Sequence, residues 1–164
     1  MDECFKIVVT EDDLSDGKVI QLLEQHRQEM LRHSPPEHVH ALDVNQLRGP
    51  QMTFWSAWIC DGYIREFAGC GGLKDLGNGH AELKSMKTNQ NHLRKGVAQA
   101  LLTQIITSAR DSMGVTRISL ETGTQQVFRA ARELYQRNGF EQCEPFGDYP
   151  DVDISVCMTK QLQD

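Results

Sequence analysis

Residues Asn91-His92-Leu93-Arg94-Lys95-Gly96-Val97-Ala98-Gln99-Ala100-Leu101-Leu102 run from a cationic, glycine-hinged turn straight into an apolar helical pattern. A helix start of that kind holds an anion. The first amides of a helix have no intrahelical acceptor, and the helix dipole adds partial positive charge there. A phosphate seated on those amides is further neutralised by Arg94 and Lys95, and Gly96 lets the backbone come close to it.

The segment resembles the pyrophosphate-binding loop of the GNAT superfamily of acyl-CoA-dependent N-acyltransferases, written Gln/Arg-x-x-Gly-x-Gly/Ala. Gly96 and Ala98 match its last two fixed positions. Leu93 stands where Gln or Arg is usual, with the charge of Arg94 beside it. The resemblance implies that Arg94, Lys95, Gly96, Val97 and Ala98 bind the diphosphate of acetyl-CoA.

Two further matches add chemistry. Ala131-Arg132-Glu133-Leu134-Tyr135-Gln136-Arg137-Asn138-Gly139-Phe140 resembles the family signature Ala-x-x-Leu-Tyr-x-x-x-Gly-Phe. When acyl transfer releases CoA as a thiolate, a phenol beside the sulfur protonates it or donates a hydrogen bond to it. The resemblance gives that role to Tyr135. Phe128 occupies the position, three residues before Ala131, where the family often has a cofactor-contacting asparagine; that contact is lost or replaced by packing.

The strand-like run Ala81-Glu82-Leu83-Lys84-Ser85-Met86-Lys87-Thr88 puts Glu82, Lys84 and Met86 on one face by alternation, and Leu83 and Ser85 on the other. Glu82 lies fourteen positions before Gly96, an interval that resembles the histone-acetylating branch, where a strand glutamate is the general base. An amine of pKa about 10 is mostly protonated at neutral pH and must lose a proton before it attacks a thioester. A solvated carboxylate paired with Lys84 is the competing reading of Glu82. In the family, backbone groups of this strand also bind the pantetheine arm, which carries over by position to Met86 and Thr88.

The acceptor end offers Glu121 and Ser119 on one strand face, Tyr149 within Phe146-Gly147-Asp148-Tyr149, and Trp55 beside Phe54. A carboxylate attracts a cationic amine and the aromatic residues can wall a pocket, although core packing or turn chemistry explains each of them more readily. His38-x-His40 with His33 and Glu37 sits in a proline-containing loop without a coherent ligand set, so no metal is expected.

At 164 residues the chain is expected to be one domain over 1–164, burying roughly two thirds of the surface its unfolded form exposes. The predicted order is a strand at Phe5 to Val9, a helix capped by Ser15 and ended by Ser34-Pro35-Pro36, and a short helix near Asp43 to Leu47. Strands follow over Met52 to Cys60, Arg65 to Lys74 and His80 to Met86, with turns at Asp61-Gly62 and Asn78-Gly79. Gly69, Gly71 and Gly72 mark a bulge or a close approach within the second of these strands. A helix from Gly96 to Gly114, a strand over Arg117 to Thr122, a helix over Val127 to Asn138 and short strands near Phe140 to Cys143 and Ser155 to Thr159 complete it.

This pattern is a mixed α/β (α+β) chain, and the resemblance implies the GNAT fold: a mostly antiparallel mixed sheet of six to seven strands flanked by about four helices. Five scattered cysteines, none in a Cys-x-x-Cys arrangement, fit a reduced compartment, and the acidic N-terminus is unlike a secretory leader. No segment has the apolar length of a membrane span, so a soluble, cytoplasmic protein without a membrane partner is expected. The net charge of -6 disfavours nucleic acid. NTP-binding and dinucleotide-binding glycine motifs are absent.

The expected activity is transfer of an acetyl group from acetyl-CoA to a primary amine of a small molecule or peptide, directly within a ternary complex. The rival is a non-catalytic acyl-CoA-binding or interaction module on the same fold, which has no need of both Glu82 and Tyr135. A homodimer is among the assembly states the sequence leaves open.

Overall fold

Two glycine turns organise the strands that lead to the candidate site. In the computed structural model, which describes residues 5–33, 35–36 and 44–162, Asn78 and Gly79 both adopt left-handed φ, +55° and +78°. That geometry matches the right-handed twist of paired strands. The elements are β1 (Lys6–Asp12), α1 (Lys18–His33), α2 (Val44–Leu47), β2 (Met52–Asp61), β3 (Ile64–Gly77), β4 (His80–Thr88), α3 (Val97–Ser112), β5 (Arg117–Gly123), α4 (Arg129–Arg137), β6 (Glu141–Cys143) and β7 (Ser155–Gln161). Among the described residues the strands are ordered β1-β2-β3-β4-β5-β7-β6 in one seven-stranded sheet. Pairing is antiparallel for β1·β2, β2·β3, β5·β7 and β6·β7, and parallel for β4·β5 over His80 to Glu82.

The chain divides into two units, one of Met1–Lys74 with Lys84–Thr107 and the other of Asp75–Leu83 with Ser108–Asp164. In the first, Leu14, Val19, Leu23, Leu47, Phe54 and Cys70 form a buried cluster. The helical spacing of Val97, Leu101, Leu102 and Ile105 turns one face of α3 inward, and all four are buried. The close-approach reading of the β3 glycines holds: a Cβ at Gly69 would lie 2.7 Å from the Lys87 carbonyl oxygen, and one at Gly71 would meet Met86 and Ile105. The register also shifts at Ala57/Trp58, so a bulge accompanies the approach.

Several local expectations are corrected. Ser15 does not cap α1: its amide donates to the Asp13 carboxylate, while the Lys18 amide donates to Asp16 and Gln21 opens the helix on the Gly17 carbonyl. Asp16 and left-handed Gly17 stand between Ser15 and the helix. The β2–β3 turn is one residue later than expected, because Asp61 pairs with Ile64 and leaves Gly62 and Tyr63 as the turn. The last long helix starts as a 3-10 turn over Gln126–Phe128, with the α-helix only from Arg129; Val127 is exposed, with no apolar face to hold it in an α-turn.

In the second unit Ala81, Ile118, Leu120, Leu134, Phe140 and Met158 are buried. Arg132 ties α4 to the end of β5, donating to the carbonyls of Gly123 and Gln125 at 2.7 and 3.0 Å. Among the described residues no helix is long and apolar enough to cross a membrane.

Candidate active site

The cationic turn belongs to the first unit. Asn89 organises it, its side chain accepting from the Asn91 amide and its carbonyl from the His92 amide. Arg94 and Gly96 take left-handed φ of +63° and +90°, and the Gly96 carbonyl accepts the first helical bond of α3 from Ala100. The amides of Val97, Ala98 and Gln99 therefore head the helix without an intrahelical acceptor. Gly96 is required by its φ rather than by crowding, since an added Cβ would find only Ile7 at 3.9 Å.

The two cations of the turn differ. Arg94 is exposed and has no partner among the described residues. Lys95 lies 3.1 Å from Nδ1 of His92, whose Nε2 is 3.0 Å from a Glu66 carboxylate oxygen. An ammonium only donates, so Nδ1 must accept and Nε2 carries the proton that goes to Glu66. His92, 6 % exposed, is thus a strut that aims Lys95. Sequence reasoning gave it no role, because its partner Glu66 is on β3, twenty-six positions away.

The candidate pantetheine strand shows a break in its pleat. Ser85 has φ +60°, so the alternation expected from Glu82 through Lys84 to Met86 does not run through it. Beyond the break, the Asn89 amide donates to Ala68 on β3 at 2.7 Å. Backbone groups alternate sides along a strand, so those of Lys87 share that direction while those of Met86 and Thr88 point away from β3. β4 pairs with β5 over His80 to Glu82.

In the second unit Glu82 is 5 % exposed, held on β4 in register with Ser119. The competing solvated-surface reading does not describe it, for the Tyr149 hydroxyl donates a short hydrogen bond to its carboxylate. Burial first, and then the Glu82 charge, push the Tyr149 phenol far above its ordinary range and keep it a donor. The Phe146 ring packs between Tyr149 and His80, at 5.2 and 5.8 Å. Glu121 is half-buried and near enough to act electrostatically on Tyr149.

Ser119 is fully buried, and its hydroxyl is engaged by His80 Nε2 at 2.7 Å and Thr159 Oγ1 at 2.9 Å. Arg117 donates to the same Thr159 oxygen. Ser119 is therefore part of an internal network rather than a pocket wall. Burial, then Arg117, holds the His80 imidazole below its usual pKa, against a smaller opposing effect of Glu82.

Tyr135 is 7 % exposed, edge-on to Phe140 at 5.8 Å, and burial raises its phenol to about 12. It is a proton donor throughout the neutral range. Phe128 packs on the Cα of Gly123, where a Cβ would collide with its ring. Trp55 and Phe54 are buried in the first unit, while Phe146 and Tyr149 belong to the second. A cleft of about 320 Å³ is lined by Glu11, Asp12, Arg48 and Phe54, and one of about 420 Å³ by Arg132, Gln136, Asp151 and Asp153. His38, His40 and Glu37 lie outside the described residues, as does the side chain of His33; among the described residues no cluster of three or more potential ligands could hold a metal.

The sequence profile of the Acetyltransferase (GNAT) family matches residues 19–140. The chain belongs to this family. It is 50% identical over 92% of its length to the uncharacterised N-acetyltransferase YsnE of Bacillus subtilis, covering 97% of that protein. It is 49% identical to the uncharacterised N-acetyltransferase YedL of Escherichia coli, over 84% of each chain. Among solved structures it is similar to the PaiA N-acetyltransferase of Thermoplasma acidophilum in complex with coenzyme A, with a TM-score of 0.69 at 16% identity over 95% of this chain and 99% of that one. The chain is thus an N-acetyltransferase on a mixed α/β fold, which among the described residues has a seven-stranded sheet and four α-helices.

Proposed function

We propose that the chain is a single N-acetyltransferase domain that moves an acetyl group from acetyl-CoA to a primary amine of a small molecule or peptide, by direct transfer in a ternary complex. The residues fit the donor. The amides at the head of α3, with exposed Arg94 and aimed Lys95, suit a diphosphate. The backbone of Met86 and Thr88 points away from β3, as a strand-like hold on the pantetheine arm requires, and Phe128 contributes packing. Bound acetyl-CoA supplies an activated thioester carbonyl.

Glu82 takes the proton from the incoming ammonium, directly or through water, and Tyr135 returns a proton to the departing sulfur. The observation that carries this reading is a buried carboxylate fixed on a rigid strand by a phenol donor. Glu121 and Tyr149 are assigned to the acceptor side, where a carboxylate draws in a cationic amine. Ser119 backs that side through its hydroxyl network with His80 and Thr159. The protein acts in the cytoplasm in this reading.

The test is release of CoA thiol from acetyl-CoA across a panel of primary amines. Glu82→Gln should lower kcat about 10²- to 10⁴-fold and Tyr135→Phe should lower it in the same range, both with CoA affinity retained. A Glu82→Gln enzyme with full turnover would remove the base from the mechanism.

A further inference from the structure

Strands β6 and β7 pair in the register Glu141↔Thr159, Gln142↔Met158 and Cys143↔Cys157, which makes two cysteines direct cross-strand partners. Side chains of opposed residues in an antiparallel pair stand on the same face, with Cα atoms about 4.5 or 5.5 Å apart depending on the pair type. Both separations fall inside the roughly 4.4–6.8 Å that a disulfide spans. Both thiols are free. Cys143 is half-buried, whereas Cys157 is 5 % exposed.

The face they share matters. Cys157 is also in register with Glu121 on β5, and Cys143, Glu121 and Glu82 all act electrostatically on its thiol. The two cysteines also stand at the base of the loop that carries Phe146 and Tyr149, the latter bonded to Glu82. A bond between them would close that loop at its root.

We propose that Cys143 and Cys157 form a dithiol–disulfide modification site, oxidised by a low-molecular-weight disulfide and acting as a clasp on the Tyr149 loop. The thiolate of Cys143, the more accessible sulfur, attacks one sulfur of the oxidant R–S–S–R, and R–S⁻ leaves and takes a proton. Cys157, deprotonated in turn, attacks the Cys143 sulfur of the mixed disulfide, and the second R–S⁻ leaves and is protonated. Two protein thiols are oxidised to one disulfide while R–S–S–R is reduced to two R–SH. Burial raises both protein thiols above their usual pKa, so the exchange quickens as pH rises.

The experiment treats the full chain with glutathione disulfide, blocks remaining thiols with an alkylating reagent under denaturing conditions, and maps the peptides by mass spectrometry. A Cys143–Cys157 cross-link reversed by a dithiol reductant is expected, together with a thermal midpoint roughly 5 °C above the reduced form. Cys157→Ser should stop at a glutathione adduct on Cys143, and Cys143→Ser should give no cross-link. Alkylation of both cysteines after oxidant treatment would overturn the proposal. So would an adduct on Cys143 that persists in the unmodified sequence. These readouts do not involve acetyl transfer, so they stand or fall separately from the assigned activity.

Discussion

The two cations beside Gly96 show how one substitution pattern separates binding from scaffolding. Arg94 is exposed on a left-handed backbone, while Lys95 is pinned through His92 to Glu66. Arg94→Ala should therefore weaken CoA binding several-fold in low salt, with the deficit shrinking as ionic strength rises, and should leave the thermal midpoint unchanged. Lys95→Ala should weaken binding and also lower the midpoint, because it strips a donor from a buried imidazole. Calorimetric titration with CoA at two salt concentrations, beside melting curves, checks both; equal affinity for Arg94→Ala and the parent would refute the diphosphate assignment. The Arg94-Lys95-Gly96 turn was legible because its chemistry is local in sequence. The bond from Tyr149 to Glu82 and the His80–Ser119–Thr159 relay were not, since strand register sets them and spans tens of residues.

At the scale of elements, helix α1 carries a titration that reports its docking. Burial, aided by Lys87 and opposed by Glu29, lowers His26 to about 4. The unfolded chain binds a proton at the ordinary pKa near 6.5 while the folded chain does not, so stability is full above that value and declines as pH falls toward 4. His26→Gln should flatten part of this decline, measured as the difference in urea-unfolding free energy between pH 7 and pH 5; an unaltered difference would show that the imidazole is not sheltered. Periodicity located α1 and α3 well, because burial of one face repeats with the helix. It failed at Ser15 and Ser85, where a turn chemistry and a single left-handed residue override the pattern. The glycines of β3 were readable as a close approach, but only the paired strand revealed that Lys87 is what approaches.

For the whole molecule, the proposed reaction uses carboxylate, phenol and backbone groups. Dialysis against a chelator should accordingly leave acetyl transfer at its original rate; loss of turnover restored by one added divalent metal would instead point to the His38-x-His40 stretch. The division of the chain also governs how its folding can be watched. Both tryptophans, Trp55 and Trp58, lie on β2 in the first unit, and the indole N–H of Trp58 is bonded to Ser56 with the Arg65 guanidinium 4.0 Å above its ring. The second unit has only tyrosine chromophores, Tyr135 and Tyr149. Indole fluorescence is consequently a one-sided witness. An emission curve in denaturant reports the surroundings of β2, and agreement with a far-ultraviolet dichroism curve is what would establish a single cooperative transition.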